Sequence, residues 1–174
     1  MKRFIRIRSA LAAAELAGTL LLAGCPATLP DGYEPNDTLA EQFDLGTIES
    51  DDPEQSWSAT LSPSGDIDFY GLRAVDSTSI GMPMTGETFR VTIGLVPPQS
   101  AEARNYDLYL RDTTGSLLAQ STNPGAGEEE IVLTWVGTVG FDDSKDFRVE
   151  IRAAGDDASA TPYLLTVDVL ETSP

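Results

Sequence analysis

Two short stretches of the sequence gather side chains of the kind that bind cations. Residues 65–70 read GDIDFY, and residues 34–38 read EPNDT. In an extended strand Asp66, Asp68 and Tyr70 point to one face, while the apolar residues between them point to the other. Like charges side by side are unfavourable unless a cation, an arginine or water separates them. The spacing therefore raises the question of what neutralises this face.

The N-terminus has the pattern of an export signal. Residues 1–8 carry four basic side chains, an apolar run follows over residues 10–22, and the sequence LAGC ends at Cys25. This order resembles the bacterial lipoprotein signal, in which the cysteine is lipidated and becomes the first residue. We predict a signal peptide over 1–24, lipidation of Cys25 and a tether over 25–33. The alternative, a membrane-spanning helix, needs about 20 apolar residues and is interrupted here by Glu15 and Gly18.

The charge balance is strongly acidic. The chain has 11 Lys and Arg against 28 Asp and Glu, for a net charge of −17. Removing residues 1–24 takes away four basic residues and one acidic residue, so the remaining chain carries −20. Such a surface repels nucleic acid and anionic lipid headgroups, and nucleic acid is excluded as an expected partner.

The residue inventory argues against an enzyme. The chain has no histidine, and its single cysteine is the predicted lipidation site. Disulfides, Ser-His or Cys-His nucleophiles and His-ligated zinc are therefore excluded. A carboxylate-based hydrolase stays open as an alternative, and it would need a cleft with two opposed acids. We expect no catalytic residues.

From residue 57 onward, short alternating segments are separated by Gly, Pro, Asp and Ser. They predict an all-β, two-sheet antiparallel sandwich, jelly-roll-like, of about eight strands. Residues 39–45 are predicted as a brief helix or turn and residues 46–52 as a turn. The predicted strands span 56–61, 66–73, 88–96, 106–112, 117–121, 130–136, 147–153 and 163–170.

Four motifs, in this order, resemble the bacterial pre-peptidase C-terminal (PPC) domain. They are EPNDT at 34–38, GDIDFY at 65–70, YDLYL at 106–110 leading to Asp112 and Gly115, and PYLLTV at 162–167. They are spread over most of the chain, so the resemblance implies a PPC-like β-sandwich over 34–172. Members of this family commonly follow a protease domain, whereas in this sequence 33 residues come before the first motif.

The collagen-binding domains of collagenases are similar to this family and bind calcium where the N-terminal segment meets the first strands. By motif position the resemblance implies a Ca²⁺ site formed by Glu34, Asn36, Asp37, Asp66 and Asp68. Carboxylates and an amide carbonyl are ligands that Ca²⁺ accepts. The alternative is that residues 36–38 form a turn or helix cap and that Asp68 satisfies backbone donors. No motif for collagen contact is present.

Two further features have competing interpretations. Trp57 and Trp135 are candidate ligand platforms, although packing against the core or a sheet edge is the simpler expectation. Residues 128–130, three glutamates, are expected to form a solvated acidic loop rather than a cation site.

The sequence as a whole predicts a non-catalytic binding or structural module, held on the bacterial cell envelope by its lipid anchor. We expect the outer membrane, because Pro26 after Cys25 provides no acidic inner-membrane retention residue. A protein or polysaccharide ligand is left open. The alternative is an accessory subunit that holds a secreted protease at the membrane.

Overall fold

Alternation of apolar and polar side chains determines the secondary structure. The computed structural model describes residues 31–75, 87–99, 104–138, 141–155 and 159–172. These residues form nine strands and no helix: β1 (Phe43–Glu49), β2 (Gln55–Ala59), β3 (Ile67–Val75), β4 (Thr88–Val96), β5 (Tyr106–Arg111), β6 (Leu117–Ser121), β7 (Glu129–Val136), β8 (Lys145–Ala153) and β9 (Tyr163–Thr172).

The strands form two sheets, which confirms the predicted all-β sandwich. One sheet has the order β1-β3-β8-β5-β6 and the other the order β2-β9-β4-β7. Neighbouring strands pair antiparallel except β1 and β3, which run parallel. The chain therefore moves from the five-stranded sheet to the four-stranded sheet and back within its first three strands.

The core lies between the sheets and contains the inward residues that the alternation predicted. The apolar side chains of β4, β5, β8 and β9 on the inner faces are almost fully buried. Trp57 and Trp135 are partly buried and pack against this core, as the simpler expectation held. The largest fully buried side chains are aromatic: Tyr70, Tyr106, Tyr163, Phe89 and Phe147.

Two predictions were wrong. Residues 39–45 and 46–52 were expected to lack a strand, but β1 occupies Phe43–Glu49 and pairs with β3. The second error concerns Glu129, which is buried rather than solvated. Its carboxylate accepts hydrogen bonds from Ser121 Oγ and from the Asn123 amide group. These bonds satisfy the polar atoms of the buried Glu129 side chain, which the sequence did not distinguish from its two exposed neighbours.

The predicted signal peptide, Cys25 and most of the tether lie outside the described residues. The part of the chain that the structure describes contains no helix with the length and apolarity needed to cross a bilayer.

Candidate functional site

The segment before β1 folds across one end of the sandwich. The Asp31 carboxylate accepts a hydrogen bond from the Thr60 backbone N–H at 2.6 Å. Five residues later, the Asn36 carbonyl accepts one from the Phe69 N–H at 2.9 Å. The ring of Tyr33 packs edge-on against Phe43, with centroids 4.9 Å apart. These contacts hold residues 31–36 against the start of β3.

This docking brings together three carboxyl groups from the two acidic motifs. Glu34, Asp66 and Asp68 each place one carboxylate oxygen within 4.8 Å of the others. Asp68 is only 1% exposed and Asp66 is 9% exposed, whereas Glu34 is half-buried. We call Glu34, Asn36, Asp66 and Asp68 the carboxylate cluster.

Asp68 connects the two sheets through hydroxyl groups. Its Oδ2 atom accepts hydrogen bonds from the Tyr163 hydroxyl and, at 3.3 Å, from the Tyr70 hydroxyl. The two hydroxyl oxygens are 2.6 Å apart. Tyr163 begins β9 in the four-stranded sheet, while Asp68 and Tyr70 lie on β3 in the five-stranded sheet. Since Oδ2 is occupied by tyrosines, Oδ1 is the atom that faces the cluster.

Asp66 is positioned by the turn that precedes β3. The turn is closed by a bond from the Asp66 N–H to the Pro63 carbonyl, with Gly65 in the left-handed region that favours glycine. Asp66 Oδ2 accepts a 2.6 Å bond from the Ser62 N–H. The exposed Asp37 carboxyl group is within hydrogen-bonding reach of Asp66. The nearby Asp37 side chain adds to the rise in the pKa of Asp66.

The Asn36 amide contacts two of the carboxylates, and its orientation depends on whether a positive charge lies between them. Asn36 is fully buried, and one end of its amide lies 3.0 Å from Glu34 Oε2 and 3.2 Å from Asp68 Oδ1. With the NH₂ group at that end, Asn36 donates to both carboxylates. With the oxygen there, three oxygen atoms converge, and only a positive charge between them makes that arrangement favourable.

Burial and mutual repulsion raise the pKa values of these acids. Burial raises the pKa of Asp68 to about 8 and the pKa of Asp66 to about 7. Neighbouring carboxylates add to both shifts, and burial also raises the pKa of Glu34. The charged groups acting on these three acids are themselves acids, so the cluster is held together without a neutralising arginine or lysine among the groups that shift it.

The structure thus brings together four of the five predicted metal ligands and places Asp37 beside them, exposed to solvent. The sequence had put Asp66, Asp68 and Tyr70 on one face of a strand, and all three are buried at the predicted place. It did not identify the Tyr163 hydroxyl as a partner of Asp68. The available signal was the tyrosine in the PYLLTV motif, which was assigned only to the core.

The alternative interpretation of residues 36–38 is partly correct. Thr38 begins a turn in which its carbonyl accepts from the Glu41 N–H and its hydroxyl donates to the Glu41 carboxylate. Asp66 caps a backbone donor, as described above. Asp68, by contrast, binds hydroxyl groups and the Asn36 amide, so backbone capping does not account for it.

A separate cleft of about 460 Å³ lies at the opposite end of β8. Its walls combine apolar side chains such as Leu133 and Trp135 with two acids, Asp112 and Asp146. The Asp112 carboxylate accepts bonds from Thr114 and Ser116, which hold its pKa below the ordinary value. Asp146 pairs with Arg73 at 3.5 Å. A general acid needs a raised pKa, so Asp112 is a structural group of the β5–β6 turn.

Comparison with known proteins adds little to this geometry. No family model and no curated protein matches the sequence. An arabinose-bound α-L-arabinofuranosidase is 17% identical over 68% of this chain and 20% of its own, with a TM-score of 0.35. A 4-O-methyl-α-glucuronidase is 15% identical over 67% of this chain and 14% of its own, at 0.29. A capsid structure of infectious bursal disease virus is 10% identical over 68% of this chain and 31% of its own, at 0.26. All three scores are below the level at which a likeness carries an argument about function.

Proposed function

We propose that this chain is a non-catalytic, lipid-anchored module of the bacterial envelope, of PPC type, whose N-terminal segment is fixed to the β-sandwich by one Ca²⁺ ion. The observation that carries this proposal is the carboxylate cluster. It joins Glu34 and Asn36 of the docking segment to Asp66 and Asp68 of the sandwich, and the described groups that shift the pKa values of its acids include no lysine or arginine.

The spacing and chemistry of the cluster suit calcium. Two oxygen atoms that bind one Ca²⁺ ion at about 2.4 Å can be at most about 4.8 Å apart. The carboxylate oxygens of Glu34, Asp66 and Asp68 meet this limit. Asp68 Oδ1 and one oxygen of Asp66 are not used by the tyrosines or by Ser62. Rotating the Asn36 amide would provide a further oxygen, and Asp37 can supply a solvent-side ligand.

The ion would connect the anchor to the folded domain. The N-terminal segment follows directly from the predicted tether and Cys25. Neutralising the cluster would hold that segment against β3 and relieve the repulsion between buried carboxylates. The proposed role is therefore structural, and the Tyr163 hydroxyl supports Asp68 from the second sheet.

The absence of catalysis is supported by composition and by the Asp112 carboxyl group of the cleft. The chain has no histidine and one cysteine. Asp112 in the cleft has a lowered pKa, the opposite of the shift that an acid catalyst needs. Purified protein is expected to give background rates with peptide, ester and glycoside substrates. Turnover that one Asp or Glu substitution abolishes would contradict the proposal.

Calcium titration tests the ion. Extracellular calcium modules bind with Kd of about 10⁻⁴ to 10⁻³ M. At roughly ten times Kd, linkage adds about 1.4 kcal/mol to the free energy of unfolding, which raises Tm by a few degrees. Magnesium at equal ionic strength should give a smaller shift, because Mg²⁺ requires shorter bonds and dehydrates reluctantly.

Two variants separate specific binding from screening of the acidic surface. Asp68→Asn removes one cluster charge at nearly constant shape and should abolish the calcium-specific shift. Glu128→Gln removes the same charge from an exposed position outside the cluster and should keep the shift. The Asn36 side-chain amide signal in NMR should move on calcium addition in wild type. Equal effects of both metals on all three proteins would overturn the calcium site.

The anchor has its own test. Expressed in a bacterial host, wild-type protein should partition with membranes. Cys25→Ser should be soluble, because it removes the acylated residue and stable attachment needs at least two acyl chains. Equal partitioning of the two proteins would refute lipidation without affecting the calcium proposal.

A further inference from the structure

The cleft of about 460 Å³ lies at the end of the sandwich opposite the docked N-terminal segment. One of its lining residues, Lys145, pairs with Ala74 near the end of β3. The carboxylate cluster includes Asp68, near the start of the same strand. Since a strand rises about 3.3 Å per residue, the cleft and the cluster are about 20 Å apart. A chain attached through its N-terminus therefore carries the cleft on the side away from the attachment.

Apolar side chains form the inner wall of this cleft, and the largest of them is fixed in orientation. The indole N–H of Trp135 donates to the Asp143 carbonyl at 3.0 Å, and its ring stacks on Phe89 with the centroids 5.5 Å apart. Ligand sites in proteins commonly have volumes of about 300–1,000 Å³, and the cleft falls in this range. The apolar lining residues are Leu118, Leu133, Trp135 and Phe147.

Charged groups of both signs lie around that wall. The described hydrogen bonds from Thr114 and Ser116 to the Asp112 carboxylate all end at its Oδ1 atom. They hold the pKa of Asp112 below its ordinary value, so the group is ionised. The turn thus orients the carboxylate, and these bonds leave its Oδ2 atom available. Lys145 and Asp146 line the same cleft.

This mixture of charges restricts the class of ligand. An anion would meet Asp112 and Asp146 in a chain of net charge −17. A cation would meet Lys145, whose ammonium group already lies over the ring of Trp135, 5.3 Å from its centroid. A purely apolar ligand would remove water from these charged groups without replacing its hydrogen bonds. A neutral ligand rich in hydroxyl groups avoids all three costs, because a hydroxyl both donates to carboxylates and accepts from an ammonium group.

From these observations we infer that the cleft binds a neutral oligosaccharide. Sugar hydroxyl groups donate to Asp112 Oδ2 and accept from Lys145 Nζ, and the C–H groups of the sugar rings pack on the apolar wall. The inference rests on the proposed function in one respect, since it names the ligand class of the binding module. It requires neither the calcium ion nor the lipid anchor.

Titration of the full chain with neutral oligosaccharides tests this inference. Cellohexaose, maltohexaose and mannohexaose are each added up to roughly 10 mM, in a detergent without a sugar headgroup. NMR follows the two indole N–H signals. At least one sugar should shift the Trp135 signal and leave that of Trp57, which lies on β2 outside the cleft, unchanged. If none of the three shifts the Trp135 signal, the inference is wrong.

Two neighbouring leucines of β6 provide a matched pair of variants. Leu118 is 43% exposed and lines the cleft, whereas Leu117 is 48% exposed and is not among the lining residues. Leu118→Asp replaces an apolar contact by a hydrated carboxylate and should weaken sugar binding by about tenfold or more. Leu117→Asp adds the same charge at the neighbouring position and should stay within about twofold of wild type. An equal loss in both variants would place the sugar outside the cleft.

Charged probes of similar length separate a neutral sugar from other occupants. Hexagalacturonate and hexalysine should each bind at least about tenfold more weakly than the neutral sugar. If either shifts the Trp135 signal at equal or lower concentration, the cleft selects an ion and the inference fails. Sugar binding should be the same in calcium and in a chelator, so a failure of the calcium proposal leaves this test unaffected.

Discussion

Asp68 and Glu150 are buried to the same extent but differ in their surroundings. They lie on paired strands, β3 and β8, and face opposite sides of the five-stranded sheet. Glu150 is 3% exposed, and its carboxylate binds Arg111 Nε at 2.5 Å and Arg152 at 3.5 Å. Asp68 is surrounded by hydroxyl groups, an amide and other acids. Among the described residues, two arginines neutralise Glu150, whereas the groups that shift the pKa of Asp68 include no arginine or lysine.

The two arginines that neutralise Glu150 are themselves held in place by the ring of Tyr109. Arg152 lies over the ring of Tyr109, 4.1 Å from its centroid, and Arg111 lies at 6.0 Å from the same ring. The Tyr109 hydroxyl donates to Asp107. This face is therefore a network with both signs of charge, whereas the carboxylate cluster carries one sign. Each prediction below changes one side of this contrast.

The largest effect is expected from Glu150→Gln. It leaves two arginines without their shared carboxylate and should lower the free energy of unfolding by about 2–3 kcal/mol, a little below the range for fully buried pairs. Asp68→Asn in calcium-free buffer at pH 8 should cost nothing or stabilise slightly, because it removes a repelled charge and keeps an acceptor for Tyr163. Urea unfolding measures both. An equal loss in the two variants would contradict the comparison.

The next effect is a pH dependence without calcium. Folded-state pKa values of about 7 for Asp66 and about 8 for Asp68 lie above the ordinary value of 3.8. The folded protein therefore holds more protons than the unfolded chain between pH 4 and pH 8. Its free energy of unfolding should therefore fall as pH rises through this window, and solvent around Asp66 should lessen the fall. Asp68→Asn should flatten the profile, and a flat wild-type profile would refute the raised pKa values.

A smaller effect, about 1 kcal/mol, concerns how calcium and protons compete. Calcium requires ionised carboxylates, so its stabilising effect should be larger at pH 8 than at pH 5. Melting curves with fixed excess calcium at both pH values measure the difference. Glu128→Gln should show the same difference as wild type. A calcium effect independent of pH would place the ion away from the acids with raised pKa values.

The smallest effect is expected for Arg73→Gln. Arg73 pairs with Asp142 at 3.2 Å and Asp146 at 3.5 Å, and all three side chains are more than 40% exposed. Exposed ion pairs contribute about 0–1 kcal/mol. The variant should unfold within about 0.5 kcal/mol of wild type in urea. A loss comparable to that of Glu150→Gln would mean that burial is not the source of the difference between the two carboxylates.

The sequence predicted most strands because their inner faces alternate without interruption. The segments at 88–96, 106–112 and 163–170 coincide with β4, β5 and β9 to within two residues. β1 was missed because the bulge between Asp44 and Gly46 breaks the alternation and because its one partner among the described strands, β3, is parallel. Parallel pairing leaves no hairpin signal in the sequence.

The site was predictable only as two motifs. The contact between residues 34–38 and residues 65–70 was predicted from the resemblance of the chain to a family, because no local spacing requires it. The role of Tyr163 depends on the packing of β9 against β3 across the core, which alternation alone does not specify. Whether a buried acid has arginines beside it likewise depends on which side of the sheet that acid faces.

The pairing of β2 with β9 constrains the order in which the chain can fold. β2 has one neighbour in its sheet, and that neighbour is the last strand of the sequence. An N-terminal portion emerging from a ribosome or a translocation pore therefore lacks the partner of β2 until the C-terminus follows. Such non-local pairing slows folding. The same strand delivers the Tyr163 hydroxyl to Asp68, so the calcium site would be completed only by a fully synthesised chain.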